Sequence, residues 1–75
     1  MKWEVRISYK KGVQDSEGES TLSGLKALGF KEVEKVSAAK VYVIAGNLRF
    51  IDIEKMCQRL LANPVSQDYT ITEVK

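Results

Sequence analysis

Side chains able to carry out covalent or proton-transfer chemistry are scarce in this sequence, and the clearest limit is the lack of histidine. Without an imidazole, the chain has no Ser-His or Cys-His nucleophile pair and no His-ligated zinc. It also has no side chain whose ordinary pKa lies near neutrality. The sequence therefore argues against a self-sufficient enzyme, and we expect no catalytic, metal-binding or cofactor-binding residues in this chain.

Two sets of reactive side chains have a simpler structural interpretation. Cys57 lies among apolar residues at helical spacing, so we expect a buried structural thiol rather than a reactive one. Glu32 and Glu34 are two residues apart on one strand face, as a general acid/base pair would be. Lys31 and Lys35 flank them, which favours a solvated face of balanced charge over a catalytic pair.

Anion and nucleic-acid binding are the remaining chemical possibilities. Lys10-Lys11-Gly12 would suit a phosphate loop, but the spacing of a P-loop is absent. Trp3, Tyr9 and Tyr42 are sheet aromatics of the kind that stack on bases. The net charge is only +2, however, and basic and acidic residues are interleaved, which disfavours nucleic-acid binding.

The elements that must position these residues follow from hydrophobic periodicity. Lys2–Tyr9 alternates apolar and polar residues, which predicts a half-buried strand. A helix is predicted to begin near Ser16, where Ser16 and Glu19 have the spacing of a capping box, and to end at Gly29. Gly24, inside this helix, would mark a close approach to the sheet.

The middle of the chain predicts a hairpin. Residues 32–37 and 40–45 are rich in β-branched side chains, and the turn between them falls at Ala38-Ala39. The second of these strands is apolar on both sides. Either a helix covers each face of this strand, or one face meets another subunit.

A second helix and a last strand complete the pattern. The apolar stripe that starts at Phe50 and Ile53 predicts an amphipathic helix, which Asn63-Pro64 ends. Cys57 and Leu60 lie on this stripe, so both are predicted to lie in the core. Gln67–Val74 then alternates as a strand.

The predicted order is β-α-β-β-α-β within a single domain of residues 1–75. This order is that of the ferredoxin-like α+β fold, in which two helices cover one face of a four-stranded antiparallel sheet. Because this fold hosts many functions, the function must be argued from a site.

The small size of the chain limits the stability that it can reach as a monomer. Seventy-five residues form a small core, and the single cysteine excludes an intramolecular disulfide. Self-association is the remaining way to stabilise the fold.

No apolar stretch is long enough to cross a membrane, and a strand pattern follows Met1 directly, so we expect a cytoplasmic protein.

Over nearly all of its length the chain resembles a known family at a set of residues and short motifs. The sharpest part of the resemblance is Met56-Cys57 followed by residues 60–65, "LLANPV". This part is followed by Asp68 and Tyr69 in the predicted last strand. The rest lies in the first connection, at the end of the first helix and in the hairpin: Lys10, Gly12, Val13, Asp15, Gly18, residues 27–30, residues 33–36 and Lys40. Taken together, these residues resemble the PurS family, the small subunits of phosphoribosylformylglycinamidine synthase.

The chain also departs from the family pattern at four positions. Proline would stand at Lys11 and Ser16, glutamine at Glu17, and glycine at Ala39. The loss of two prolines loosens the first connection.

The resemblance implies a non-catalytic subunit of a three-part, ATP-dependent amidotransferase of purine biosynthesis. Such a subunit bridges a glutaminase and a synthetase, supports the transfer of ammonia, and forms a homodimer or tetramer. ATP and Mg²⁺ act in the synthetase subunit, and neither a nucleic acid nor a membrane is a partner. The candidate docking residues lie in the exposed connections: Lys10, Gly12, Asp15, Gly18, Asn63 and Pro64.

Two other functions share the predicted fold. A regulatory domain of the ACT type would bind a small ligand at a dimer interface, but its glycine-rich turn after the first strand is matched only by Gly12. A nucleic-acid-binding module would bind with a steep dependence on salt.

Overall fold

The computed structural model describes residues 1–75 and shows an α+β fold with two helices and one antiparallel sheet. In chain order the elements are β1 (Lys2–Tyr9), α1 (Ser16–Ala27), β2 (Ala39–Ala45), α2 (Phe50–Met56), a π-helical turn (Cys57–Leu61) that continues α2, and β3 (Gln67–Val74). None of the helices combines the length and the apolar composition that a membrane span requires.

The sheet has three strands in the order β2-β1-β3, so that β1 lies in the centre. Val5 lies opposite Tyr42 of β2 and Ile71 of β3. Because alternate residues of a strand point to the same side, Trp3, Val5 and Ile7 share one face, and all three are buried. The strict alternation of β1 therefore predicted both the strand and its core face.

The sheet has three strands where the sequence predicts four, because residues 32–37 form no strand. They run beside α1 instead: the Val36 carbonyl oxygen lies against Gly18, and the Ala38 N–H donates to the Asp15 carboxylate at 2.7 Å. Val33 and Val36 are three residues apart, so an extended chain places them on opposite sides and offers no single apolar face. The predicted hairpin turn at Ala38-Ala39 is consequently absent.

Only one of the two helices covers the sheet. Ile53 and Cys57, on the inner side of α2 and its π-helical turn, are fully buried. The Trp3 indole N–H donates to the Leu48 carbonyl at 3.2 Å, and its ring meets the Phe50 ring edge-on at 6.2 Å. These contacts fix the start of α2 on the core face.

Helix α1, in contrast, projects from the sheet. Gly18 is its only buried residue, and none of its apolar side chains packs against the core. The prediction that both helices lie on the sheet is therefore corrected for α1. The structure is flat and elongated, with extents of 47 × 28 × 14 Å.

The π-helical turn changes which residues at the end of α2 face the core. The Ala62 N–H donates to the Cys57 carbonyl at 3.0 Å, which spans five residues instead of four. This wider turn rotates the following side chains, so Ala62 is buried and Leu60 is 82% exposed. The prediction that Cys57 is buried is confirmed, and the prediction that Leu60 lies in the core is wrong.

Candidate functional site

The six candidate docking residues lie around one end of the sheet, where β1 ends and β3 begins. Tyr9 of β1 pairs with Gln67 of β3, and the Lys10 N–H donates to the Ser66 carbonyl at 2.9 Å. On the other side of β1, Ser8 pairs with Ala39, the first residue of β2. The connections after β1, before β2 and before β3 therefore meet at this end.

The connection after β1 opens with a tight turn. The Val13 N–H donates to the Lys10 carbonyl at 3.1 Å, and Gly12 has a φ of +87°, in the left-handed region that favours glycine. The Lys10 ammonium lies 4.0 Å from the Asp68 carboxylate, and both side chains are substantially exposed. An exposed pair at this distance contributes little to stability, which leaves Lys10 available to a partner.

Asp15 joins the start of α1 to the residues before β2. One carboxylate oxygen accepts from the Gly18 N–H at 2.9 Å, and the other accepts from the Ala38 N–H at 2.7 Å. These two hydrogen bonds, that of Ala38 first, hold the pKa of the Asp15 carboxyl below its ordinary value, and Lys35 lowers the pKa further. Asp15, rather than the predicted Ser16, is thus the N-cap of α1.

Gly18 lies where helix α1 closely approaches the extended segment before β2. A Cβ at this position would meet the Val36 carbonyl oxygen and the Asp15 carboxylate. No atom lies within 4 Å of a Cβ at Gly24. The close approach predicted at Gly24 therefore occurs at Gly18, and it involves the extended segment rather than the sheet.

Asn63 organises the turn that follows the π-helical turn. Its side-chain oxygen accepts from the Val65 N–H at 3.0 Å, and its carbonyl accepts from Ser66 and Gln67. The Asn63 N–H in turn donates to the Gln67 side chain at 2.8 Å. Pro64 and Val65 are held outward by this turn, and Val65 is 84% exposed.

A cleft of about 460 Å³ brings part of the candidate set together. Lys10, Gly12 and Asp15 line it, together with Lys35 and Glu19. Gly18, Asn63 and Pro64 do not line it. The cleft thus presents both signs of charge at one end of the molecule, an arrangement suited to ion pairs with a protein surface.

Cys57, the one nucleophilic side chain predicted to be structural, is buried beneath α2. Burial raises the pKa of its thiol, and the neighbouring Glu54 raises it further. The thiol is therefore protonated at neutral pH, when it is a poor nucleophile.

Several exposed apolar residues were missed by the sequence interpretation. Leu28 and Phe30 are 76% and 58% exposed beyond the end of α1, and Leu60 and Val65 are exposed beyond α2. The helix stop at Gly29, which has a φ of +102°, was predicted. No pattern in the sequence indicated that Leu28 and Phe30, on either side of Gly29, would be exposed to solvent.

The family comparisons agree with one another. The profile of the family described as "PurS: Phosphoribosylformylglycinamidine (FGAM) synthase" matches residues 2–75. The PurS subunit of phosphoribosylformylglycinamidine synthase from Archaeoglobus fulgidus is 49% identical over 73 residues, which cover 91% of each chain.

Solved structures give the same result. The crystal structure of Methanocaldococcus jannaschii PurS superposes with a TM-score of 0.86 at 39% identity, over 95% of this chain and 92% of that one. A chain in the structure of PurLQS from Thermotoga maritima has the same fold, with a TM-score of 0.76 at 23% identity over 97% and 95% of the two chains.

Proposed function

This chain belongs to the PurS family of phosphoribosylformylglycinamidine (FGAM) synthase, and we propose that it is the non-catalytic assembly subunit of that enzyme. FGAM synthase is a ligase of purine biosynthesis. In this proposal the chain bridges the synthetase and glutaminase subunits and supports the transfer of ammonia from glutamine to formylglycinamide ribonucleotide. ATP and Mg²⁺ act in the synthetase subunit.

The observation that carries the proposal is the size of the exposed surface. The accessible surface is 5903 Å², whereas a compact monomer of this mass exposes about 4,600 Å². The excess of roughly 1,300 Å² exceeds the ~800 Å² that one partner buries in a standard interface. A chain with this much uncovered surface is suited to binding other subunits.

The exposed apolar residues lie on separate elements, as a bridging subunit requires. Val43 is 61% exposed on the outer face of β2, opposite the core face that carries Tyr42. Leu28 lies at the far end of α1, and Leu60 lies in the π-helical turn after α2. These positions would allow contacts with more than one neighbour at the same time.

The proposed partners are the synthetase and glutaminase subunits, together with a second copy of this chain. The Thermotoga maritima relative of the same fold is part of a structure of PurLQS, which supports an assembly of this kind. The surface excess also supports a homodimer, because six buried apolar residues form a small core for 75 residues. A tetramer would use the remaining exposed faces.

Turnover of the reconstituted synthetase, measured with glutamine or with ammonia as the nitrogen source, tests the bridging role. Without this chain, glutamine-dependent turnover should be lost while ammonia-dependent turnover persists, because excess ammonia in solution needs no delivery from a neighbouring subunit.

Lys10→Glu should weaken glutamine-dependent turnover alone, since charges at an interface rim mainly alter docking. Lys75→Glu, an equal change at the exposed C-terminal residue, is the matched control. Equal loss of both activities without the chain would show that it shapes the synthetase active site, and would refute the bridging role.

A further inference from the structure

Three lysines line the cleft of about 460 Å³ at the end of β1. Lys10 and Lys11 belong to the turn after β1, whose sequence lacks the spacing of a P-loop. Lys35 reaches the same cleft from the extended segment before β2. Sites for small molecules begin at about 300 Å³. Positive side chains from two distant parts of the sequence therefore line a space large enough for a small ligand.

These lysines are little used within the chain itself. Lys10 forms the only ion pair among them, with the Asp68 carboxylate at 4.0 Å. Neither Lys11 nor Lys35 forms an ion pair, and both are exposed. Their charges are therefore available to an anion from outside the chain.

The two carboxylates that line the cleft already accept hydrogen bonds from the chain. Asp15 accepts from the Gly18 and Ala38 N–H groups at 2.9 and 2.7 Å. Glu19 accepts from the Gln14 side-chain amide at 3.3 Å. The three lysines outnumber these two carboxylates, so the lining carries a net positive charge. A cleft of this kind raises the local concentration of anions.

The turn after β1 adds uncharged hydrogen-bond donors to the lysines. The Val13 N–H donates to the Lys10 carbonyl, whereas the N–H groups of Lys11 and Gly12, which lie between these two residues, donate to no backbone carbonyl. Gly12 has no side chain, and no atom lies within 4 Å of the position that its Cβ would take. A ligand can therefore approach the backbone of this turn closely.

The segment that carries Lys35 is fixed to the start of α1. Directly after Lys35, the Val36 carbonyl lies against Gly18, and the Ala38 N–H donates to Asp15. These contacts hold the second lysine-bearing segment beside the turn after β1. The fold of the chain, rather than a bound ligand, thus brings the positive charges together.

We propose that this cleft binds the phosphate group of a small phosphorylated molecule, with Lys10, Lys11 and Lys35 supplying the positive charge. Lysine ammonium groups bind phosphate as point charges, and the free N–H groups of the turn supply further donors. The organic part of the ligand lies against the apolar side chains that line the rest of the cleft, which include Val13, Leu22 and Val36. The inference goes beyond the bridging role and does not depend on it.

Nuclear magnetic resonance titration of the isotope-labelled full chain tests the proposal. Inorganic phosphate or glycerol phosphate is added at constant ionic strength, which sodium chloride maintains. The amide signals of Lys11, Gly12 and Lys35 should shift along saturating curves with both compounds. Acetate, an anion of lower charge, should shift them much less. Equal shifts with acetate, or shifts that rise without saturation, would overturn the proposal.

A pair of substitutions in the cleft provides the second test. Lys11→Gln combined with Lys35→Gln should weaken phosphate binding by about tenfold, the combined effect of two exposed charge pairs. The far-UV circular dichroism should be unchanged because both side chains are exposed. Lys2→Gln combined with Lys75→Gln, at the opposite end of the sheet, is the matched control and should bind phosphate as the unmodified chain does. Equal binding by both double variants would overturn the proposal.

The turnover assay distinguishes this site from a contact with a partner subunit. Loss of glutamine-dependent turnover in the cleft variant, together with no phosphate binding by the unmodified chain, would assign these lysines to a partner and overturn the proposal. Failure of the bridging role would instead appear as equal loss of both activities without the chain, and would leave the phosphate titrations unchanged.

Discussion

At the scale of single residues, Asp15 has the clearest role, because its two oxygens connect helix α1 to the segment before β2. Both hydrogen bonds favour the charged carboxylate, so the pKa in the folded chain is below the ordinary value. The stability that Asp15 contributes is therefore fully present above the ordinary pKa of about 4. It is lost as the pH falls through the lowered pKa of the folded state.

Asp15→Asn should reduce the free energy of unfolding at pH 7 and have a smaller effect near pH 2, because the stability that depends on the carboxylate is lost as the pH falls through the lowered pKa. Asparagine still caps a helix, but Gly18 and Ala38 donate to different carboxylate oxygens, and asparagine has an NH₂ donor in place of one of them. Urea denaturation at the two pH values measures the difference. Asp68→Asn, which removes only an exposed ion pair at 4.0 Å, is the control. An equal loss at both pH values would contradict the role assigned to Asp15.

Because of the π-helical turn, we expect Ile53 and Leu60, which lie in one continuous helical segment, to contribute very differently to stability. Ile53→Ala should lower the free energy of unfolding by about 2 to 5 kcal/mol, because Ile53 is fully buried. Leu60→Ala should change it by less than about 0.5 kcal/mol, since Leu60 is 82% exposed. Denaturant titration of the two variants provides the comparison. A large loss of unfolding free energy for Leu60→Ala would contradict this prediction, because it would show that the Leu60 side chain is buried in the core or in an interface of the isolated protein.

At the scale of elements, the two glycines of α1 should respond in opposite ways to alanine. Gly24→Ala should stabilise the chain by about 1 kcal/mol, because alanine favours the helix and no atom lies within 4 Å of the added Cβ. Gly18→Ala should destabilise it, because the added Cβ would press on the Val36 carbonyl. Thermal denaturation of both variants is the measurement, and stabilisation by Gly18→Ala would contradict the close contact between Gly18 and the Val36 carbonyl.

Elements whose pattern is strictly local were predictable from the sequence. The alternation in β1 and β3 and the stop at Gly29 each depend on neighbouring residues alone, and the structure confirms all three. Residues 32–37 have β-branched side chains, yet the choice between pairing with β2 and lying along α1 depends on tertiary contacts such as Asp15 to Ala38. The π-helical turn likewise has no signature, because its sequence fits an ordinary α-helix equally well.

Only part of the candidate site could be predicted from the sequence, again because local patterns are informative and tertiary contacts are not visible in them. Loop residues such as Lys10, Gly12 and Asp15 carry polar or conformational signals, and the structure brings these three to one cleft. Exposed apolar residues such as Leu28 were assigned to helices whose apolar side was expected to face the sheet. Hydrophobic periodicity shows that a side chain needs cover, but it does not show which chain provides it.

At the scale of the whole molecule, the shape departs strongly from that of a compact monomer. The radius of gyration is 15.4 Å, whereas a compact chain of this length has about 11 Å. The buried core is limited to the face that α2 covers. We therefore expect association to supply a large part of the stability.

The melting temperature should accordingly rise with protein concentration, because association stabilises the folded state by mass action. Calorimetry at about 1 and about 100 μM, a roughly hundredfold range over which stabilisation by mass action grows with concentration, measures the shift. A constant melting temperature for the unmodified chain, together with a monomer in sedimentation, would contradict this view of its stability.

Sedimentation velocity of the synthetase and glutaminase subunits, with glutamine and Mg-ADP present, tests the bridging role most directly. With this chain added, we expect one faster-sedimenting species that contains all three proteins. Without it, the synthetase and glutaminase should sediment separately, because the surface that joins them is missing. A stable complex of synthetase and glutaminase that forms equally well in the absence of this chain would contradict the bridging role.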